Sequence, residues 1–156
     1  MESKYDITPL GLLNNAKVWY FLYRQNIYLE TNHKIIAIYC LLIGLEILLK
    51  SYLSFLNKEK YSYESSLKSL GHKFDKLLEA LRCEKEAKLL NKIRQIIVKY
   101  NLQSIDTNDL RYPKKGDKVI LFSEYFKPTN EFDILFDSIS GEIQMGISDK
   151  FYVDKN

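Results

Sequence analysis

Ile35–Phe55, read as IIAIYCLLIGLEILLKSYLSF, is the most apolar stretch of the chain. Its first eleven residues, Ile35–Leu45, carry no charge, and Glu46 and Lys50 follow one turn apart. A run without proline and with a single glycine predicts a long helix that is buried over most of its circumference. A membrane span is the competing interpretation, because a bilayer requires about 20 mostly apolar residues. The cost of ionised groups in lipid favours the core helix of a soluble domain.

Composition and charge fit one globular domain. The 156 residues are 46% hydrophobic and 28% charged, which excludes a disordered chain. We therefore expect a single domain over residues 1–156, with its core at about 9–143. The net charge of +3 conceals a basic middle, since residues 58–118 carry fifteen basic and nine acidic side chains. This segment could attract an anion, or it could be an ordinary solvated helical surface.

Motif searches exclude several classes of function. The chain contains no GxxxxGK[ST], GxGxxG, HExxH or GxSxG pattern. Two histidines, His33 and His72, are too few for a multi-histidine metal site, and Cys40 and Cys83 form no CxxC pair. We predict no metal and no cofactor, and we interpret Cys40 as a small core residue. The N-terminus lacks an apolar signal segment, so we expect a cytoplasmic protein without a membrane anchor.

Hydrophobic periodicity predicts an all-α domain. The expected helices cover about Pro9–Ile27, a central helix ending near Leu56, Gly71–Arg82, Glu84–Tyr100, and a last helix from Thr129 or Asn130 through Ile143. Residues 57–69 and 101–117 read as connections. The short apolar run at 119–122 is strand-like or the start of a helix.

A lysine stripe marks the predicted helix Glu84–Tyr100. Its members recur at steps of three, four and seven: Lys85, Lys88, Lys92 and Lys99. The stripe is either a phosphate-binding surface or a solvent face with local pairs such as Glu84–Lys88.

Three short features are candidates for chemistry. Glu46 and Lys50 form a pair at the edge of the core, and an acid at that depth needs a partner. His72 follows Gly71 at a predicted helix start, where it could cap the helix or bond to a backbone carbonyl. Arg111 lies on a segment stiffened by Pro113, and a fixed guanidinium suits a carboxylate or a phosphate. We predict that Glu46 orients Arg111.

The order of these features resembles the HEPN superfamily, the domain found in higher eukaryotes and prokaryotes. The resemblance rests on an apolar helix LLIGLEILLKSYL, then GHKFDKLLEAL, a further helix, RYP and a final helix. It covers roughly residues 9–143. It implies an up-and-down bundle of four to five helices that is usually a homodimer.

The resemblance also implies a function, which we state as an expectation. Many HEPN proteins are metal-independent ribonucleases of toxin–antitoxin and defence systems, and others bind RNA, nucleotides or partner proteins without catalysis. Bacterial members often pair with a nucleotidyltransferase. The anion-binding candidates are Arg111, with Lys114 and Lys115 beside it and Glu46 behind it, followed by His72 and Tyr112.

One departure from the family pattern separates the alternatives. Catalytic members carry an arginine followed four to six residues later by a histidine, a pair suited to proton transfer and phosphate stabilisation. No histidine follows Arg111, and eight residues separate Arg24 from His33. We therefore expect a non-catalytic binding module. A ribonuclease with a rearranged site and a structural dimer that scaffolds a nucleotidyltransferase remain as alternatives.

Overall fold

The computed structural model describes residues 8–29, 31–108 and 125–153. Within these ranges the chain is an all-α bundle, as predicted, with one isolated bridge between Lys73 and Asp106 and no strand. The helices are α1 (Pro9–Asn26), α2 (Thr31–Leu56), α3 (Glu64–Ser69), α4 (Phe74–Arg82), α5 (Leu90–Lys99) and α6 (Glu131–Val153), with a 3-10 turn at Leu102–Ser104. The described residues thus hold six helices where four or five were expected, because the short α3 forms inside the predicted 57–69 connection.

Helices α1 and α2 form an antiparallel hairpin. The Thr8 side chain accepts a hydrogen bond from the Gly11 amide at 3.0 Å, and proline follows at the first helical position, as the sequence predicts. Ser51 donates to the Pro9 carbonyl at 2.7 Å, which joins the start of α1 to the end of α2. Farther along, a Cβ added to Gly44 would lie 3.2 Å from the Trp19 Cβ, so the two helices approach closely.

The central helix α2 is buried, as its composition predicts. Its large, fully enclosed side chains include Ile38, Leu41, Leu42, Leu45, Leu48, Leu49, Tyr52 and Leu53. Each of these stabilises the fold by roughly 1.5–3 kcal/mol through burial. Lys34–Leu56 is long and apolar enough to cross a membrane, but 72% of its most apolar window is enclosed by the fold. This burial is what a core helix requires.

Helices α2 and α4 run in the same direction, although the sequence predicted only a connection between them. His72, just before α4, contacts Glu46 in the middle of α2. Glu84, just after α4, accepts hydrogen bonds from Asn57, just after α2. The residues between 57 and 73, which include α3, therefore carry the chain back along the bundle. Periodicity within a helix does not report this reversal.

Helices α5 and α6 pack antiparallel at the other side of the bundle. Lys92 donates to the Ser138 hydroxyl at 2.8 Å, and Lys99 donates to Glu131 at 2.7 and 2.8 Å. The amide of Glu131 bonds to the Thr129 hydroxyl at 3.2 Å, which is the predicted cap at the start of α6.

Three predicted boundaries are wrong for identifiable reasons. Gly71 has a φ of +67° and ends α3 in the left-handed conformation, so α4 begins at Phe74 instead of Gly71. Helix α5 begins at Leu90 instead of Glu84, because residues 84–88 form turns. Helix α6 passes through Gly141 and continues to Val153, since its packing outweighs the weak propensity of one glycine. The 119–122 run lies outside the described residues.

Candidate functional site

A buried carboxylate on α2 is the centre of the most connected polar cluster among the described residues. Glu46 is 6% exposed and lies on the side of α2 that faces the start of α4. The Lys50 ammonium, one turn along the helix, lies 2.6 Å from Glu46 Oε1. The lysine side chain is only 12% exposed. The two opposite charges are therefore both withdrawn from water and compensate each other.

Two more residues bind the same carboxylate from other parts of the chain. His72 places its Nδ1 atom 3.0 Å from Glu46 Oε1, and the Thr107 hydroxyl donates to Glu46 Oε2. The Thr107 amide also donates to the His72 carbonyl at 3.0 Å. We call Glu46, Lys50, His72 and Thr107 the Glu46 cluster. It ties three segments of the chain together at one point.

Local backbone structure explains how these segments meet. Gly71 adopts the left-handed conformation that ends α3, and the following residues leave that helix in an extended form. Lys73 and Asp106 then form an antiparallel bridge. This bridge places Thr107 directly beside His72, with its hydroxyl over the carboxylate of α2. The loop after the 3-10 turn is thus positioned by backbone pairing as well as by the carboxylate.

Contact with an ionised Glu46 carboxylate selects one tautomer of His72. An ionised carboxylate only accepts hydrogen bonds, so the imidazole must donate from Nδ1. In the neutral ring, Nε2 then carries the lone pair and can accept a proton or a hydrogen bond. The His72 side chain is 42% exposed, and Nε2 has no hydrogen-bond partner in the described part of the chain. Glu46 therefore orients a histidine whose outer nitrogen is available.

The structure brings two of the predicted site residues together and leaves four outside the described residues. Glu46 and His72 are in direct contact, although no spacing in the sequence relates them. Arg111, Tyr112, Lys114 and Lys115 fall in the part of the chain that is not described. The pairing of Glu46 with Arg111 stays a prediction. The predicted local pair of Glu46 with Lys50 is confirmed.

Sequence reasoning missed Thr107. It is a single threonine in a predicted loop, 61 residues after Glu46. No spacing rule relates two residues that far apart, and threonine carries no charge that would demand a partner. The one local signal is Asp106, whose side chain accepts the Asn108 amide at 2.9 Å, a turn motif typical of Asp before a chain reversal.

The lysine stripe is not continuous in the structure. Lys85 and Lys88 precede α5, and Lys92 and Lys99 bond to α6 across a groove of about 280 Å³. Hydrogen bonds from Lys99 and Tyr100 hold the pKa of Glu131 below its usual range. Burial and the hydrogen bond to Glu131 raise the pKa of Tyr100 to about 12. Lys92 and Lys99 therefore serve to hold α5 and α6 together.

The remaining observations leave the Glu46 cluster as the best-supported site. Within residues 8–29, 31–108 and 125–153, no group of three or more His, Cys, Asp or Glu side chains is arranged to hold a metal ion. Comparison of the chain with family models, with curated proteins and with solved structures gives no match. A functional conclusion must therefore come from the chemistry of this cluster and of the basic segment that follows it.

Proposed function

We propose that the protein is a non-catalytic, HEPN-type binding module for RNA or a nucleotide, working as a homodimer in a bacterial toxin–antitoxin or defence system. The observation that supports the proposal is the convergence of His72, Lys50 and Thr107 on the buried carboxylate of Glu46. The cluster fixes a loop immediately before the most basic short segment of the chain. An anion-binding site requires that its cationic side chains be held in position by the surrounding structure.

Sequence separation supports this role for the cluster. Arg111 comes four residues after Thr107, and four residues of fully extended chain cover at most about 14 Å. Lys114 and Lys115 follow directly. Three cations thus begin within a short tether of an exposed histidine. Guanidinium and ammonium groups are the usual partners of phosphate oxygens.

Two observations favour binding without catalysis. The Arg-x4-6-His pattern of the catalytic family members is absent around Arg111. In the Glu46 cluster, the carboxylate already accepts hydrogen bonds from Lys50, His72 and Thr107. The acid is therefore occupied with holding the loop. This arrangement stabilises a binding surface whether or not a reaction occurs there.

An equilibrium RNA-binding measurement in EDTA tests the proposal. Labelled single-stranded and structured RNAs are titrated at several salt concentrations, and the triple variant Arg111→Ala, Lys114→Ala, Lys115→Ala is compared with wild type. For a single strand, each lost phosphate contact lowers the salt slope by about 0.7, so the triple variant should lower it by about 2. Lys58→Ala, an exposed lysine after α2, is the matched control and should leave the slope unchanged.

Two results would refute the proposal. One is the absence of binding to RNA and to nucleotides at low salt. The other is a salt-slope loss of about 0.7 in the Lys58→Ala control, the same per removed charge as in the triple variant, which would indicate charge attraction without a site. Light scattering provides a separate check on the homodimer, because a monomer at micromolar concentration would remove that part of the proposal.

A ribonuclease with a rearranged site is the second candidate, favoured by one observation. The Nε2 atom of His72 is oriented by Glu46 through Nδ1, which is the arrangement of a general base. His72→Gln separates the two functions, since the glutamine amide can still donate to Glu46 but cannot transfer a proton. Cleavage in EDTA that disappears in His72→Gln, with RNA binding retained, would replace the binding module by the enzyme.

A further inference from the structure

Helix α1 is apolar on two opposite sides. Its inward side packs into the core through Leu13, Ala16, Tyr20 and Tyr23. Its outward side continues into the following turn and carries exposed apolar side chains, which we call the outer stripe: Val18, Phe21, Leu22, Tyr28 and Leu29. Val18 and Phe21 are 59% and 60% exposed, and Tyr28 is 82% exposed. A helix with apolar side chains on two opposite sides is typical of one covered on both sides.

The spacing of the outer stripe fits one partner helix. Val18, Leu22 and Leu29 are separated by four and seven residues, and Phe21 adds a position three after Val18. Within α1, these steps place Val18, Phe21 and Leu22 on one side of the helix, and Leu29 follows in the turn beyond Asn26. From Val18 to Asn26 the helix rises about 12 Å, and the turn with Tyr28 and Leu29 extends the outer stripe. Helix-in-groove recognition uses anchors with this periodicity.

Charge identifies the chemistry of the partner. Residues 8–29 contain Lys17 and Arg24 and no acidic side chain. Lys17 is exposed and has no ion pair within the described ranges, whereas Arg24 lies 3.6 Å from Asp133 of α6. A second copy of the same helix would bring the same two cations, and the nearby carboxylate, Asp133, is already paired with Arg24. A partner helix with acidic flanks supplies the missing charge, which chiefly adds specificity and association rate.

The centre of the stripe favours protein over lipid. Gln25 lies between Leu22 and Leu29 on the same side of α1 and is exposed. A side-chain amide buried in hydrocarbon without hydrogen bonds costs several kcal/mol on water-to-alkane scales. A partner helix can present a polar side chain to it. We propose that the outer stripe of α1 docks an amphipathic helix of a partner protein, with acidic residues flanking its apolar face.

A display library of helical peptides tests the proposal on the intact protein. The library fixes apolar residues at heptad positions a and d and varies the flanking positions among Glu, Lys, Ser and Gln. Selection on wild type should enrich glutamate at the flanks. An enriched peptide should lose at least about tenfold in affinity with the double variant Val18→Ser, Phe21→Ser. The control Val98→Ser, an equally exposed valine on α5, should bind as wild type does.

A charge reversal gives an independent second variant. Lys17→Glu changes one exposed side chain without touching the apolar anchors, so the fold should persist, as circular dichroism can verify. It should weaken the glutamate-flanked peptide and favour a lysine-flanked one with the same apolar face. Fluorescence anisotropy measures both affinities.

Four outcomes would overturn the proposal. The first is no enrichment on wild type above the double variant, and the second is enrichment of lysine or uncharged flanks. The third is binding to anionic lipid vesicles that is lost in the double variant, which would assign the stripe to a membrane. The fourth is a dimer that the double variant converts to a monomer, which would assign it to a second copy. The first three outcomes bear neither on RNA binding nor on the homodimer. The fourth would support the homodimer while it refutes the partner helix, so failure of this proposal and failure of the proposed function are distinguishable.

Discussion

Replacing Glu46 by glutamine should destabilise the protein strongly. The glutamine side chain would keep an oxygen at only one of the two positions, since His72 bonds to Oε1 and Thr107 to Oε2, and the Lys50 ammonium would lose its counter-charge. Breaking a buried pair by removing one partner typically costs about 3–5 kcal/mol. Because the lysine side chain is 12% exposed and can reach water by a small rearrangement, we expect a loss of about 3 kcal/mol. With a urea m-value of about 1.5–2 kcal/mol per molar, the unfolding midpoint should fall by roughly 1.5–2 M.

A double-mutant cycle separates the charge pair from the rest of the cluster. Lys50→Met alone should also destabilise, since it leaves a buried carboxylate, while Glu46→Gln with Lys50→Met should lose less than the sum of the two single losses. Native-state hydrogen exchange adds a local readout, because the Thr107 amide bonds to the His72 carbonyl. A loss below about 1 kcal/mol for Glu46→Gln, or additive single and double effects, would refute the account of Glu46 as a buried charge anchored by Lys50.

Three further predictions concern packing, pH and thiol chemistry. Gly146→Ala should lower the free energy of unfolding in urea by about 1–2 kcal/mol, because the new methyl would lie 2.4 Å from a Phe55 ring carbon. The control Gly141→Ala, in the same helix, meets nothing within 4 Å and should raise it by about 0.5–1 kcal/mol. Equal effects of the two substitutions would contradict this packing. The pKa of Glu131 is lowered in the folded state, so its contribution is present above the unfolded-state pKa of about 4.3 and is lost as the pH falls further. Glu131→Gln should therefore lower the free energy of unfolding at pH 7, by under about 1 kcal/mol because the side chain is half-exposed. The loss should be smaller at pH 3. A loss that does not change with pH would contradict this role of Glu131. A thiol reagent should label the exposed Cys83 rapidly and the buried cysteine of α2 only on unfolding, and two fast equivalents would show that α2 is less enclosed than its burial indicates.

The local elements follow closely from the sequence. The Thr8 and Pro9 start of α1, the end of α2 at Leu56 and the Thr129 cap before α6 all depend on neighbours within four residues. At Gly71 the local sequence signals predicted the wrong helix boundary. A glycine before a helical pattern reads as the start of that helix, yet it ends the preceding one, which is too short to show a period of its own.

In the candidate site too, local spacing predicted one contact and the packing of the helices decided another. Glu46 stood out because an acid inside an apolar helix needs a partner, and Lys50 one turn away was the partner that spacing alone could identify. The contact of His72 with the same oxygen depends on the direction in which α4 runs beside α2. That direction is set by how the connection from residue 57 to residue 73 crosses the bundle, which no helical period encodes.

The spacing of apolar residues was enough to specify an all-α domain built around Ile35–Phe55, because the pattern within each helix is a local property of the chain. The meeting of His72 and Thr107 at Glu46 is instead a property of the packed bundle. It depends on the backbone bridge between Lys73 and Asp106 and on the parallel packing of α2 and α4. Hydrogen bonds between residues so far apart form only after the helices have packed, so their partners are fixed by the geometry of the whole bundle.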